Sequence, residues 1–249
     1  FNVKDFGAVG NATNNDTPAF KTAISNATVH GGIVLVPEGD YRLTEPLDLG
    51  SGVEMRGITK RADISADDML SLLLFDYDNP ATNGTPFLKM GDGSGLRNLS
   101  FSTPKQPSGP PFKDYAFTIQ CNGTNNYIIY CNSGGTYRFA ELNGDNHLVD
   151  GSFVTGTKVA FQANNCSGGR IQNLNIKPWS GSGLPLALPA PNYAALGKDY
   201  RWLQQIEGCN GIVLNGCDDY SVTSVFHHGA GTFFTANNSG GQTLDISAE

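Results

Sequence analysis

The sequence predicts an all-β chain that folds as a single-stranded parallel β-helix of about 21 residues per coil, and three observations carry this prediction. Glycine accounts for 31 of 249 residues and charged residues for only 16%, a balance that suits turn-rich β proteins better than helical ones. Apolar residues recur at a fixed spacing in the second half of the chain. Asparagines recur with the same spacing, and one turn residue per repeat indicates stacked solenoid coils.

The apolar repeat is visible in three segments that align without internal gaps: Phe161–Ile176, Ile212–His227 and Phe233–Ala248. Each segment opens on an aromatic or branched residue. A second apolar column follows thirteen residues later, at Leu174, Val225 and Ile246, and extends back to Phe153 and Phe101. Two columns that recur together predict two inward-facing strand positions in each coil.

The asparagine column consists of Asn122, Asn143, Asn164 and Asn215. The steps are 21, 21 and 51 residues, and 51 is one coil plus an insertion of 30. The next position, 236, is Ala. Amide side chains stacked at a turn can hydrogen-bond from coil to coil, so these four residues are predicted to form a structural ladder.

The first sixty residues predict a separate capping element. Asn2–Gly10 has the pattern of a short strand that ends in a turn. Asp16 or Thr17 can cap a helix that has Pro18 in its first turn, and Gly31-Gly32 ends it. The following segments, Ile33–Pro37 and Tyr41–Leu43, are predicted strands.

This N-terminal region resembles the pectate-lyase-like superfamily. The resemblance rests on VKDFGAVG at residues 3–10, Asp16-Thr17, Gly31-Gly32, Val36-Pro37 and Gly39-Asp-Tyr41. Asn15 stands where the family usually has the first of two aspartates. The resemblance implies a right-handed β-helix that is active on polysaccharides, with the helix covering the open end of the coils. We therefore expect one domain over 1–249, with the cap at 1–32, the coils at 33–249, and a longer parent chain.

Two departures from the 21-residue period predict loop insertions, at about 102–111 and about 177–206. Both follow the same strand of the coil, so both should leave the β-helix at one corner. Because neighbouring coils lie ~4.8 Å apart, insertions separated by two coils would bound a cleft roughly 15 Å wide. A cleft of this width would accommodate a few sugar rings.

The second insertion is rich in residues that recognise sugars. Aromatic rings can stack on sugar faces, and the neighbouring cations and hydroxyls can hydrogen-bond to them. The predicted substrate-binding residues are Lys177, Trp179, Tyr193, Tyr200, Arg201 and Trp202. The alternative is that both tryptophans anchor a proline-rich loop.

Acid–base residues near the same corner are the predicted catalytic groups, because glycoside hydrolysis uses a pair of carboxyls. These candidates are Asp199, Glu207, His228, Asp245 and Glu249. The alternative is a solvated polar face. Asp218-Asp219 is predicted to form a turn beside the ladder, since the Gly-His-Gly and Asn-Thr-Asp signatures that accompany paired aspartates in polygalacturonases are absent.

Composition restricts the partners and the location. A net charge of −7 and a pI of about 5.0 argue against non-specific nucleic-acid or acidic-membrane binding. No apolar run approaches the ~18 residues of a membrane span. Several Asn-X-Ser/Thr sites and five cysteines lead us to expect a secreted, glycosylated chain with one or two disulfides. No cysteine or histidine spacing indicates a metal site.

Three functions are compatible with these features. The first is a glycoside hydrolase that cleaves a neutral or mildly charged polysaccharide without a cofactor. The second is a lyase or epimerase on a uronic-acid polymer, which would require Ca²⁺. The third is a non-catalytic or tailspike-type glycan-binding β-helix, for which a homotrimer is possible.

Overall fold

The computed structural model describes residues 1–59, 70–106, 112–154, 156–176, 210–227, 232–237 and 244–247, and it confirms the predicted fold class. These residues form a right-handed parallel β-helix with three parallel sheets of eight, eight and seven strands. Each coil passes through sheet 1, sheet 2 and sheet 3 in turn. In the described part of the chain, no helix is long and apolar enough to cross a bilayer.

The strands are short, as expected for coils that bend at three corners. Sheet 1 contains β2 (Ile33–Leu35), β5 (Glu54–Arg56), β8 (Gly95–Arg97), β11 (Tyr127–Ile129), β14 (Leu148–Asp150), β17 (Arg170–Gln172), β20 (Tyr220–Thr223) and β23 (Leu244–Ser247). Sheet 2 contains β1 (Asn11–Asn15), β3 (Gly39–Leu43), β6 (Ser71–Phe75), β9 (Ser100–Ser102), β12 (Asn132–Gly134), β15 (Phe153–Val154), β18 (Asn175–Ile176) and β21 (Phe226–His227). Sheet 3 contains β4 (Leu47–Leu49), β7 (Leu88–Met90), β10 (Phe117–Cys121), β13 (Thr136–Asn143), β16 (Gly156–Asn164), β19 (Asn210–Asn215) and β22 (Thr232–Asn237).

The core is a continuous apolar column inside the three sheets. Phe101, Phe139 and Phe161 are completely buried and meet edge to face, with ring centroids 5.9 and 5.5 Å apart. This geometry is the one that aromatic rings favour. Each strand turns alternate side chains inward. Each coil therefore contributes a few apolar side chains, which pack against those of the next coil.

The N-terminal cap differs from the prediction at its start. Val3–Phe6 is a 3-10 helix rather than a strand, and the first strand is β1. Helix α1 (Thr17–His30) follows with Asp16 at its N-cap. The Asp16 carboxylate is buried and accepts from the backbone amides of Val9 and Gly10, at 2.7 and 3.1 Å. Asp16 thus joins the glycine turn to the helix, which explains its place in the motif.

Helix α1 closes the open end of the core. Its inner face buries Phe20, Ala23, Ile24 and Ala27, and the Phe20 ring meets Tyr41 at 5.2 Å in an edge contact. Without this cover the first coil would expose its apolar interior to water.

The asparagines stack as a ladder at the turn from sheet 3 to sheet 1. The Nδ2 atoms of Asn143, Asn164 and Asn215 each donate to the Oδ1 atom of the preceding ladder residue, at 3.2, 3.0 and 2.9 Å. Asn237 adds a fifth member, donating to Asn215 at 2.9 Å. The sequence analysis missed Asn237 because the last coil is 22 residues long, so the 21-residue step reached Ala236 instead.

The apolar columns are correct in the middle of the chain and wrong at its end. Phe161 pairs with Ile212 as predicted, but Ile212 pairs with Phe234 rather than Phe233. Ile246 pairs with Val222 rather than Val225. The physical reason is that turns gain or lose residues between coils. An apolar residue next to the true position then falls at the spacing that the repeat predicts.

The second apolar column also mixes inner and outer positions. Phe153 pairs with Asn132 and Asn175 on the outer face of sheet 2. Leu174 therefore lies one position before the residue that pairs with Phe153. Phe101 pairs with Ser133 and faces the core.

The described cysteines, Cys121, Cys131, Cys166 and Cys217, are buried free thiols. The structure holds these four residues as thiols, and Cys209 lies outside the described residues. The expected disulfides therefore remain a prediction.

Removing the central ladder amide should destabilise the fold more than removing the terminal one. Asn164→Ala deletes donor bonds to Asn143 and Glu141 and an acceptor for Asn215, so we expect a loss of about 1–3 kcal/mol. Asn237→Ala, at an exposed position with one ladder bond, should cost less than about 1 kcal/mol. Urea unfolding of both variants measures the difference, and equal losses would contradict the ladder's role.

Acid should destabilise the chain through His147, which is 2% exposed. Burial lowers the pKa of His147 to about 4, although Asp145 opposes this effect. Below the ordinary pKa of about 6.5 the unfolded chain binds a proton that the folded chain excludes, so stability falls from about pH 6.5 to about pH 4. The expected slope approaches 1.4 kcal/mol per pH unit. His147→Asn should flatten this slope, measured by urea unfolding across this pH range.

Candidate functional site

Long connections leave the β-helix at one corner, between sheet 2 and sheet 3. The first connection spans residues 76–87, and the second runs from 103 to 116, with 107–111 outside the described residues. A third connection begins after β18 ends at Ile176 and returns at β19. Between the second and third, β12 and β13 are separated by residue 135 alone, and β15 ends two positions before β16 begins. Both predicted insertions therefore follow strands of sheet 2. The coils between them carry no long connection at this corner.

The first two connections form one wall. Pro80 and Tyr115 make an antiparallel bridge. The Asp78 carboxylate accepts from Lys113 Nζ and from the Tyr115 hydroxyl, both at 2.6 Å. Burial raises the pKa of Tyr115 to about 12, and the bond to Asp78 reinforces this, so the hydroxyl remains a donor. The wall is thus fixed by backbone and side-chain bonds.

Arg138 joins the wall to the floor of the site. Its Nη1 atom donates to the Tyr115 carbonyl at 2.7 Å and pairs with Asp114 at 2.6 Å. The guanidinium also lies 5.1 Å from the centre of the Tyr137 ring. Its positive charge is therefore neutralised and its orientation fixed.

A groove of about 280 Å³ lies at the foot of this wall. Its lining consists of Ala81, Gly84, Thr85, Pro86, Ala116, Phe117, Gln120, Arg138 and Glu141. Ligand pockets of proteins begin at about 300 Å³, so the groove is of a size to take part of a ligand. It combines an aromatic ring, an amide, a guanidinium and a carboxylate, which are the groups that bind sugar rings and hydroxyls.

The Glu141 carboxylate is held from both sides. Gln120 Nε2 donates to its Oε2 atom at 2.6 Å, and Asn164 Nδ2 donates to its Oε1 atom at 3.0 Å. An ionised carboxylate has about four acceptor positions, so two remain for other partners. Because Asn164 is also a ladder residue, the stacking of the coils sets the position of this carboxylate.

Glu141 belongs to an outward row that crosses sheet 3. In register from the first strand to the last, the row contains Asp48, Lys89, Gln120, Glu141, Gln162, Val213 and Thr235. Successive members are about 4.8 Å apart. The groove thus opens onto a flat polar surface that runs along the axis of the β-helix.

The adjoining outward row of sheet 2 mixes polar and apolar residues, since Ser100 and Asn132 are in register with Leu72 and Phe153. Ser100 and Asn132 are completely buried, and the Ser100 hydroxyl lies 3.0 Å from that of Thr59. The exposed hydrogen-bonding groups at this corner therefore lie on the side of sheet 3.

Most of the predicted site residues lie outside the described residues. This applies to the substrate-binding candidates Lys177, Trp179, Tyr193, Tyr200, Arg201 and Trp202, and to the catalytic candidates Asp199, Glu207, His228 and Glu249. Their predicted roles remain predictions. In the described ranges, no three His, Cys, Asp or Glu side chains are grouped to hold a metal ion.

Asp245 lies elsewhere than predicted. The sequence alignment placed it beside Ser224, near the insertion corner, but it pairs with Ser221 in sheet 1. Sheet 1 forms the side of the β-helix that does not contain this corner. The shift has the same cause as that of Ile246, namely turns of unequal length. Asp218 and Asp219 occupy the turn between β19 and β20, with a left-handed φ of 49° at Asp219.

The sequence analysis missed Gln120, Arg138 and Glu141. A signal for two of them was present, since Gln120, Glu141 and Gln162 each precede a ladder asparagine by two positions. That spacing places them on the outer face of the same strand. Arg138 has no comparable signal, because its role depends on the folded path of the connection.

Comparison with known proteins gives a match over most of the chain. The family described as "Rhamnogalacturonase A/epimerase, pectate lyase-like" matches residues 1–184. The mannuronan C5-epimerase AlgE3 of Azotobacter vinelandii is 45% identical over 56 residues, which are 22% of this chain and 3% of that protein. AlgE1 of the same organism is 43% identical over 56 residues, or 4% of its length. The chain thus matches only a small part of these curated relatives.

Solved structures share the fold at low sequence identity. A candidate glycosyl hydrolase from Parabacteroides merdae superposes with a TM-score of 0.59 and 11% identity, over 92% of this chain and 95% of that one. The DFA-IIIase of Arthrobacter chlorophenolicus A6 gives a TM-score of 0.57 and 11% identity, over 90% and 63% of the two chains. At this identity the likeness concerns the fold alone.

The wall should depend on Arg138 more than on its carboxylate partner. Arg138→Ala removes a bond from a charged donor to the Tyr115 carbonyl and should cost about 2 kcal/mol. Asp114→Asn removes only an ion pair whose carboxylate is 65% exposed, and it should cost less than about 1 kcal/mol. Thermal unfolding of the two variants tests this order. Equal costs would show that the ion pair, rather than the carbonyl bond, holds the wall, because Arg138→Ala removes both interactions.

Proposed function

The chain belongs to the rhamnogalacturonase A/epimerase, pectate lyase-like family, and from this premise we propose that it is a secreted glycoside hydrolase. The proposed substrate is a polysaccharide bound in the groove between sheets 2 and 3. The observation that carries the proposal is the fixed Glu141 carboxylate beside Phe117, Gln120 and Arg138, at the foot of a rigid wall.

The charges around the groove favour a neutral or mildly charged polymer. Arg138 is paired with Asp114, and Lys113 is paired with Asp78. Glu141 adds a negative charge, and the whole chain carries −7. Among the described residues of the groove lining, a uronic-acid polymer would meet no cation that lacks an ion-pair partner. The hydroxyls of a neutral sugar, by contrast, can donate to Glu141 and accept from Gln120.

The proposed reaction uses Glu141 as one of two carboxyl groups. Glycosidases need a second carboxyl about 5–5.5 Å away for retention, or about 6.5–9.5 Å away for inversion. We assign it to the connection that returns at β19, which carries Asp199 and Glu207. One group protonates the leaving oxygen, and the other attacks the sugar or activates water. Trp179 and Trp202 of the same connection would stack on neighbouring rings. No metal is needed for these steps.

A lyase or epimerase is the second candidate, and the identity to the mannuronan C5-epimerases over 56 residues favours it. Such a reaction would require a base at the sugar carbon next to the carboxylate, and Ca²⁺ to neutralise that carboxylate. Elimination differs from hydrolysis in its product, because it creates a double bond that absorbs ultraviolet light.

A panel of neutral and uronic-acid polysaccharides, assayed for both new reducing ends and ultraviolet absorbance, tests the proposal. We expect reducing ends from a neutral polymer without a rise in absorbance. Glu141→Gln should lower this rate by at least about 100-fold, the lower bound for loss of a general acid or base.

Asp150→Asn is the matched control, since Asp150 is an outward carboxylate on sheet 1 that binds Asn173. It should leave the rate unchanged. Calcium-dependent absorbance from a uronate polymer would establish a lyase instead, and inversion of its sugars at C5 without either product would establish an epimerase. Activity that survives Glu141→Gln would place the reacting groups outside this groove.

A further inference from the structure

Two cysteines lie side by side in consecutive coils. Cys166 follows the ladder residue Asn164 by two positions, and Cys217 follows Asn215 in the same way. Their sulfur atoms are 3.8 Å apart, and both residues are buried, with exposures of 2% and 0%. The two thiols therefore face each other inside the β-helix.

The backbone around this pair is in register. Asn164 pairs with Asn215, and the Asp218 amide donates to the Cys166 carbonyl at 2.9 Å. In-register positions of neighbouring coils lie about 4.8 Å apart, which is within the ~4.4–6.8 Å that a disulfide requires between Cα atoms. Side-chain rotation alone can bring the sulfurs to bonding distance.

The other described cysteines have different surroundings. Cys121 Sγ lies 3.7 Å from the Met90 sulfur, and Cys131 Sγ donates to the Ile129 carbonyl at 3.6 Å. Burial raises the pKa of Cys131 to about 12, so this thiol stays protonated. Cys131 is accordingly an internal control for reactivity.

We propose that Cys166 and Cys217 form a disulfide that cross-links two consecutive coils when the chain folds under oxidising conditions. The Cys217 thiolate attacks a sulfur of a small-molecule or protein disulfide, whose S–S bond breaks and releases one thiolate. The Cys166 thiolate then attacks the Cys217 sulfur and releases the second. The pair loses two protons and two electrons, and the oxidant is reduced to two thiols.

The contact between the thiols assists the first step. With Cys166 as the donor across this contact, the hydrogen bond lowers the pKa of Cys217. A thiolate is the reacting form in this exchange, and this arrangement makes Cys217 the attacking residue.

The cross-link would close a loop that contains the whole third connection. Cys166 and Cys217 are 51 positions apart, and residues 177–209 lie between them. Closing a loop of this length restricts the unfolded chain, and the chain-entropy estimate corresponds to a rise in Tm of about 10 °C for a protein of this size. The disulfide would hold together the two coils from which the connection leaves and to which it returns.

The test compares the full chain produced by secretion with the same chain produced in a reducing cytosol. Each sample is denatured in acid, its free thiols are alkylated, and its peptides are mapped by mass spectrometry. We expect the secreted chain to yield a Cys166–Cys217 peptide pair that is lighter by two hydrogen atoms and separates on reduction. Its Tm should exceed that of the cytosolic chain by about 10 °C.

Cys217→Ser should abolish this difference in Tm, and Cys131→Ser should preserve it. If Cys217→Ser does not fold, the peptide map of the secreted, unsubstituted chain still shows whether Cys166 and Cys217 are linked. Alkylation of both Cys166 and Cys217 in the secreted chain, or a bridge from either of them to Cys209, would overturn the proposal.

Discussion

The stacking of each coil on the next, in register and through parallel backbone hydrogen bonds, is the constraint on which the rest of this structure depends. Strands of neighbouring coils are about 4.8 Å apart, so a residue type that recurs once per coil becomes a continuous column. The asparagine ladder is one such column, the polar row of sheet 3 is another, and the Cys166–Cys217 pair is a third. Each follows from the repeat of the backbone.

The same constraint decides where the chain can vary. A strand cannot gain residues without shifting every side chain beyond it to the opposite face, whereas a corner can. The cost of closing a longer loop grows only slowly with its length. The long connections therefore leave at corners, and three of them use the corner between sheets 2 and 3. A groove with a rigid wall results, on a surface that is otherwise flat.

The sequence was sufficient to predict the fold, because the same spacing of apolar residues and asparagines recurs in several consecutive coils. It was insufficient wherever the period slips. Because turns gain residues, Ile246 and Asp245 lie beside Val222 and Ser221. Apolar residues alternate along these strands, so the wrong register also gave a regular apolar column. The polar row could have been derived from the ladder by counting back two positions. The contact of Arg138 with Tyr115 could not, since it depends on how a connection folds back onto β13.

The stability of the coils and the precision of the site are linked through a single residue. Asn164 Nδ2 binds Asn143 in the ladder and Glu141 in the groove. The amide that holds two coils together thus also orients the carboxylate that the proposed hydrolysis uses. A catalytic group must be held within about 0.5 Å of its working position, and a long glutamate side chain on an exposed strand would not meet this requirement alone. In this β-helix the stacked coil supplies the missing restraint for Glu141.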